Sequence, residues 1–327
     1  MKNYLILILL CAISLILIPL AIGGTSHGET NPSEATTQTA ETEDPINKDA
    51  QTISVFRTAS STAQEISFFE YVCGSVAAEM PLAYNEEAIK AQAVACYTNA
   101  LRQKTEGGVE KGDITDNTAV HQGYIDKEQR KEKWGKDFEK YEKKLEAAVK
   151  AVEGEALQYK NELCVAAFCA ISNGKTEDAK SLWRSSVPYL VSVESEGDKL
   201  SPSYASTVSF SKEEFVRIAG NLGTKPDNSK LSEALKITKK SATGTVLEIA
   251  LYGKKFTGEE IRKAFSLRSP TYTVTATENA ITFNVLGYGH GIGMSQYGAN
   301  YYAEKGFDYK EILEHYYRGA KVVKLEN

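Results

Sequence analysis

The sequence predicts an α+β fold, with mixed helices and strands forming one large domain, and three observations carry that expectation. From about Thr52 onward, apolar residues switch back and forth between helical and alternating spacing. The strand candidates come in irregular order among the helices, unlike the steady alternation of a doubly wound parallel sheet. The 327 residues, 42% hydrophobic and 25% charged, have an ordinary globular composition and no evident repeat.

Residues 1–24 read as a membrane anchor. Leu5 to Ile22 is an uncharged run of 18 residues after a single Lys2. At about 1.5 Å per residue it nearly crosses a ~30 Å hydrocarbon core. Signal-peptide cores hold roughly 7–15 apolar residues, which favours an uncleaved, single-pass anchor. Ala21-Ile22-Gly23 is small enough for cleavage, so a removed signal stands as the alternative; in either case the remainder is exported. Residues 25–51, rich in Thr, Ser, Glu and Asn, read as a flexible extracytoplasmic tether. Residues 52–327 form the ordered domain.

Ile53 to Phe56 opens it as a strand, and Ile66, Phe69, Val72, Cys73 and Val76 fall at helical spacing before Pro81 stops the helix. Asn85 caps a second helix bearing Ile89, Ala93 and Cys96 on one face. A charged helix runs from Asp137 to Val152, and its Lys/Glu mixture reads as a solvated face. Ala156–Tyr159 and Leu163–Ala170 flank Lys160-Asn161-Glu162 as a hairpin. Capping boxes at Ser211/Glu214, Thr257/Glu260 and Asp308/Glu311 begin later helices. Strand candidates lie at Leu235–Thr238, Val246–Tyr252, Tyr272–Thr277 and Ala280–Leu286.

The formal net charge of −5 argues against a nucleic-acid partner. The exported part carries Cys73, Cys96, Cys164 and Cys169, an even number that allows disulfides. Their apolar neighbours favour buried free thiols. Zinc on Cys164 and Cys169, with His121 or another cysteine, is the weaker alternative, because the Cys-x4-Cys spacing is loose for a structural site. No metal or cofactor is assigned.

Glu79 stands in the last turn of the first helix, where the dipole and the apolar Met80 and Pro81 should raise its pKa. A carboxyl kept protonated near neutrality suits a general acid. In the run from Gly287 to Ala299, glycines alternate with Tyr288, His290 and Ile292 before a helix start. Such a run permits close backbone approach to a ligand and offers free N–H groups. It lacks both the Rossmann spacing and the Gly-Lys-Ser/Thr of a P-loop. Ser172 to Glu177 contains Asn173-Gly174, a common turn pair, and His121-Gln122-Gly123-Tyr124 adds polar and aromatic groups of the kind that line a sugar cleft.

Together these segments resemble the stage II sporulation protein D family of sporulation lytic transglycosylases. The matching stretches are Phe69 to Pro81, Ala88 to Ala95, His121 to Tyr124, Ser172 to Glu177, Phe256 to Arg262 and the glycine-rich run ending at Ala299. They cover nearly the whole domain. The resemblance implies a catalytic cleft that cuts the β-1,4 bond between N-acetylmuramic acid and N-acetylglucosamine, leaving 1,6-anhydromuramoyl ends. It further implies glycan stripped of peptides as substrate, a role in forespore engulfment between the mother-cell and forespore membranes, and stage II sporulation proteins P and M as partners. Glu79 matches the family's catalytic glutamate. Lys90, Gln92, Ser172, His290, Ser295 and Gln296 are expected to bind substrate. Two alternatives stay open: a glycan-binding activator of another hydrolase, similar to amidase enhancers, and a hydrolase with Glu177 as its second carboxylate. Cys73, Cys96, Cys169 and Asn173 depart from the residues common in the family.

Overall fold

The computed structural model describes residues 52–183, 185–227 and 231–325. The anchor and tether expected at residues 1–51 lie outside them. Among the described residues no helix is long and apolar enough to cross a membrane.

The domain opens with antiparallel strands β1 (Thr52–Arg57) and β2 (Thr62–Ser67), joined by the short parallel β3 (Ile114–Thr115). Helices α1 (Phe68–Glu79) and α2 (Glu86–Thr105) follow β2 and pack together. Ser67 caps α1 by accepting the Glu70 N–H, and Asn85 caps α2 by accepting that of Glu87. α2 buries twelve of its twenty residues because other elements surround it, so it forms the axis of the main core.

The charged stretch after Asp126 holds two helices where one was expected, α3 (Lys127–Trp134) and α4 (Phe138–Ala151). A capping box between Asp126 and Gln129 starts α3, a signal missed because no apolar face follows it. The solvated-face reading of α4 holds for Glu139, Lys140, Lys143 and Lys150 but not for Glu142. Arg130 and Glu142 are buried, and the Arg130 guanidinium grips Glu142 at 2.8 and 2.9 Å and Glu70 at 2.9 and 3.2 Å. That fork locks α3 and α4 to α1, and its satisfied geometry lets charge sit inside.

The expected hairpin forms only at its tip, where β4 (Glu155–Tyr159) meets β5 (Glu162–Leu163). Beyond Cys164, whose N–H still donates to the Leu157 carbonyl at 2.9 Å, the chain leaves β4, and β6 (Phe168–Cys169) pairs in parallel with β13 (Met294–Ser295). Asn99 explains the departure: its amide accepts from the Ala166 N–H and donates to the Ala166 carbonyl, both at 2.9 Å, replacing ladder bonds. Helix α5 (Ala179–Trp183) follows.

Residues 205–286 form a second lobe with its own apolar cluster, inserted into the first. It holds β7 (Ala205–Ser211), α6 (Lys212–Asn221), β8 (Leu235–Lys240), β9 (Val246–Leu251), β10 (Lys254–Phe256), α7 (Gly258–Ala264), β11 (Tyr272–Ala276) and β12 (Ala280–Leu286). Two three-stranded antiparallel sheets, ordered β10-β9-β8 and β11-β12-β7, pack on Phe215, Phe265 and Phe283. The chain then returns to the first lobe through β13, α8 (Gln296–Glu304), α9 (Tyr309–Tyr316) and β14 (Lys321–Lys324), which pairs with β4. All three capping boxes read from the sequence are formed.

Candidate active site

α1 ends where Met80 turns extended, and this places Glu79 at the rim of a cleft of ≈ 820 Å³. Asn99, His121, Gln122, Phe168, Arg262, Tyr288, His290 and Gln296 line the same cleft. Among the described residues, Glu79 is its only carboxylate. Thr118, Val120, Arg262, Tyr288 and His290 continue into a second hollow of ≈ 1490 Å³ along the inserted lobe, so the two make one long groove.

Burial raises the Glu79 pKa, while a hydrogen bond from the Gly123 N–H and the nearby Lys133 charge oppose the rise. The Gly123 N–H donates to Glu79 Oε1 at 2.5 Å, and Lys133 Nζ donates to the Ala77 carbonyl at 2.7 Å. Desolvation is thus the leading cause, in line with the apolar Met80 and Pro81 beside it.

Gln122 and Asn99 form a polar floor beside Glu79. Gln122 Nε2 donates to Tyr71 Oη at 3.1 Å and to the Cys96 carbonyl at 3.0 Å, and Asn99 Nδ2 donates to Gln122 Oε1 at 3.3 Å. Tyr71 stacks on Tyr124, with ring centroids 5.5 Å apart. A side chain at Gly74 would strike the Tyr124 ring, so this glycine lets the 121–124 segment lie against α1. His121 Nδ1 accepts from the Thr115 N–H at 3.1 Å, and burial lowers its pKa.

The glycine-rich run serves the protein's own backbone. Gly287, Gly289, Gly291 and Gly293 all have positive φ. Tyr288 and Ile171 exchange backbone bonds of 2.7 and 3.0 Å, and a side chain at Gly293 would overlap the Ala167 carbonyl. The run therefore threads along residues 167–171, a close approach that its glycines permit, while Tyr288, Gly289 and His290 line the cleft. The α8 start is not free either: Tyr297 N–H donates to the Ala170 carbonyl at 3.1 Å and Gly298 N–H to Ser295 Oγ at 3.2 Å. His290 does face the cleft, its Nδ1 accepting from the Ile292 N–H at 3.0 Å. Burial, with the neighbouring Arg262 charge, pushes its pKa down to about 4, so the imidazole is neutral near pH 7.

Of the residues expected to bind substrate, His290 and Gln296 line the cleft with Glu79. The other four have different surroundings, which corrects the direct-contact expectation. Ser172 and Ser295 are buried on Asp198: Ser172 donates its N–H at 2.8 Å and its hydroxyl at 2.5 Å, and Ser295 its hydroxyl at 2.7 Å. Gln92 is buried behind Gln296, accepting from its Nε2 at 3.2 Å. Lys90 pairs with Glu86 and Glu87 at 3.0 and 2.8 Å and does not line the cleft.

Glu177 does not join Glu79. Its carboxylate accepts from Ser241 Oγ at 2.6 Å and from Thr243 Oγ1, while its N–H donates to the Gly291 carbonyl at 2.7 Å. Asn173 Nδ2 donates to the Thr243 carbonyl at 2.7 Å. The 172–177 segment thereby pins the inserted lobe and the glycine-rich run together. Cys73, Cys96, Cys164 and Cys169 are free and buried, and among the described residues no three His, Cys, Asp or Glu side chains converge as ligands. Sequence reasoning missed Gly123, Gln122, Asn99 and Arg262 as contributors; the 121–124 segment was noticed, but only the fold reveals which of its atoms meet Glu79.

The chain is a two-lobed α+β domain with Glu79 at a long groove, and its residues 57–159 match the family model of stage II sporulation proteins. The chain is 37% identical over 334 residues to stage II sporulation protein D of Bacillus subtilis (strain 168), covering 98% of this chain and 96% of that protein. The corresponding protein of Bacillus amyloliquefaciens is 36% identical, covering 89% of this chain and 84% of that protein. This chain belongs to the stage II sporulation protein D family. A more distant relative, the amidase enhancer of Bacillus subtilis (strain 168), is 29% identical over 76% of this chain and 39% of that protein.

Proposed function

We propose that this protein is a peptidoglycan lytic transglycosylase that cuts between N-acetylmuramic acid and N-acetylglucosamine in peptide-stripped glycan, acting in forespore engulfment. The observation that carries this reading is Glu79, among the described residues the only carboxylate lining the ≈ 820 Å³ cleft, which burial holds toward its protonated form. Glycosidases that use water ordinarily need two carboxyl groups, about 5–5.5 Å apart for retention and roughly 6.5–9.5 Å apart for inversion. One suffices when the substrate supplies its own nucleophile. Protonated Glu79 gives its proton to the glycosidic oxygen as the C1–O bond breaks. The C6 hydroxyl of the same muramic ring then attacks C1, and its proton passes to the Glu79 carboxylate, which regenerates the acid. Intramolecular attack spares the entropy of recruiting water. The Gly123 N–H and Lys133 stabilise the carboxylate between the two transfers.

Membrane anchoring through residues 1–24, an extracytoplasmic location, and stage II sporulation proteins P and M as partners complete the proposal. The second reading, a glycan-binding activator of another hydrolase, draws on the likeness to an amidase enhancer. Mass spectrometry of peptide-free glycan incubated with purified protein alone separates these readings. Anhydromuramoyl ends support cleavage by Glu79. Products heavier by one water indicate hydrolysis, and intact glycan that is nonetheless bound indicates an activator.

A further inference from the structure

The groove carries more positive charge than a protein of net charge −5 leads one to expect. Arg102, Lys180, Lys239, Arg262 and Lys263 line it, against Glu79, Glu248 and Glu259. Arg262 stands out by position, since it borders both hollows beside His290 and Tyr288. Its guanidinium is already oriented. Nε donates to the Leu267 carbonyl at 3.3 Å, and Nη1 donates to the two Glu259 oxygens at 3.1 and 3.3 Å. Among the described residues Nη2 has no partner. Exposed aromatic surface lies on the same wall: Tyr288 is 46% and Trp183 40% accessible, and the Trp183 ring lies 6.2 Å from that of His290.

We propose that Arg262 is a specificity-determining residue that binds a carboxylate carried by the sugar ring, namely the lactyl carboxylate of a muramic acid unit that lacks its peptide. The inference rests on the reading of the groove as a glycan site. A muramic ring bearing a peptide has a neutral amide where this carboxylate would be, so it offers no anion to the guanidinium. A fixed guanidinium edge recognises a carboxylate through charge-assisted hydrogen bonds that a neutral amide cannot match. Lys239 and Lys263 add like-signed field along the same wall. Selection for stripped glycan thus follows from charge as well as from the absence of peptide bulk.

The test uses the full-length chain in detergent and two glycans from one preparation: peptide-free strands with free lactyl carboxylates, and the same strands with those carboxylates coupled to methylamine. Cleavage and binding are measured for wild type, Arg262→Gln and Arg262→Lys. Wild type should prefer the free carboxylate by about tenfold or more, the scale of one charge-assisted hydrogen bond. Arg262→Gln should bring binding of the free-carboxylate strand down to that of the amide through KM, with kcat on either strand little changed. Arg262→Lys should restore part of the preference. Equal handling of both strands by wild type overturns the inference, as does an unchanged preference in a folded Arg262→Gln. If wild type cleaves neither strand, the cleavage reading fails, and the binding preference alone then decides the role of Arg262. Should Arg262→Gln not fold, wild type on the two strands and Arg262→Lys still decide it.

Discussion

The backbone N–H of Gly123 donates to Oε1 of Glu79 at 2.5 Å, across 44 positions of sequence. A Cβ at position 123 would stand 3.1 Å from that same oxygen and 3.1 Å from the Ala78 Cβ. The carboxyl group is therefore both aimed and closely flanked by a residue that has no side chain.

Gly123→Ala tests this contact. The φ of Gly123 is outside the left-handed region, so the backbone tolerates alanine and only the close approach is affected. Glu79 must shift by a few tenths of an ångström, which disturbs the ~2.6–3.2 Å contact that proton transfer requires. Anhydromuramoyl product formation should fall by about tenfold or more, while stability changes by about 1 kcal/mol or less. Wild-type turnover in the alanine variant would show that Gly123 does not set the position of the carboxyl group.

Glu79→Gln keeps the acceptor for Gly123 but cannot donate an acidic proton, so product formation should nearly vanish while glycan binding persists. Its stability has a defined pH signature. Burial places the folded pKa of Glu79 above its ordinary value, so the folded state holds the proton more tightly than the unfolded state. The ionised side chain then costs nothing below the unfolded pKa, and its cost grows as pH rises through the folded value. Thermal melts of the two proteins should coincide near pH 4, and the glutamine variant should become the more stable one toward neutrality. A constant difference at every pH would contradict the burial-driven shift. Activity of the wild type should fall as pH rises through the same raised pKa, because the acid form is lost.

Ser172→Ala and Ser295→Ala separate structure from substrate contact. Each removes a hydroxyl that donates to buried Asp198, a bond to a charged group worth about 1.5–3 kcal/mol. Denaturant unfolding should show losses of that size, with KM of the folded enzyme unchanged. A raised KM with unchanged stability would return these serines to the substrate.

His290→Ala removes the acceptor of the Ile292 N–H from the turn that faces the cleft. A loss of about 1–3 kcal/mol in stability should accompany reduced turnover. With the imidazole neutral from a pKa near 4 upward, the pH profile of the wild type should show no limb from His290 between pH 5 and 8. A limb in that range that disappears in the alanine variant would make His290 a proton carrier.

Much of the secondary structure was legible because its causes are local. Side chains at Asn85, Ser211, Thr257 and Asp308 accept from N–H groups two or three residues ahead, so each helix start is written in a few consecutive letters. Alternating apolar residues Ile281, Phe283 and Val285 identified β12 for the same reason. Family membership was legible too, since the order of segments from Phe69 to Ala299 survives without knowledge of contacts. Helix α3 was missed because no apolar face follows its capping box; what faces inward is Arg130, which reaches Glu70, 60 positions away, and Glu142 on the next helix.

The sequence by itself determined the α+β class, the helix caps and the singling out of Glu79, because each depends on neighbours along the chain or on a short motif. The tertiary structure decided what surrounds that glutamate. Gly123 was brought to it by folding, whereas Glu177 was drawn away to Ser241 and Thr243 of the inserted lobe. Ser172 and Ser295, polar residues in motif-like segments, were turned inward to a buried aspartate. A polar side chain reads the same in sequence whether it faces solvent, substrate or a buried partner. Which of these it faces depends on desolvation and on hydrogen-bond partners tens or hundreds of residues away, and these exist once the chain has folded.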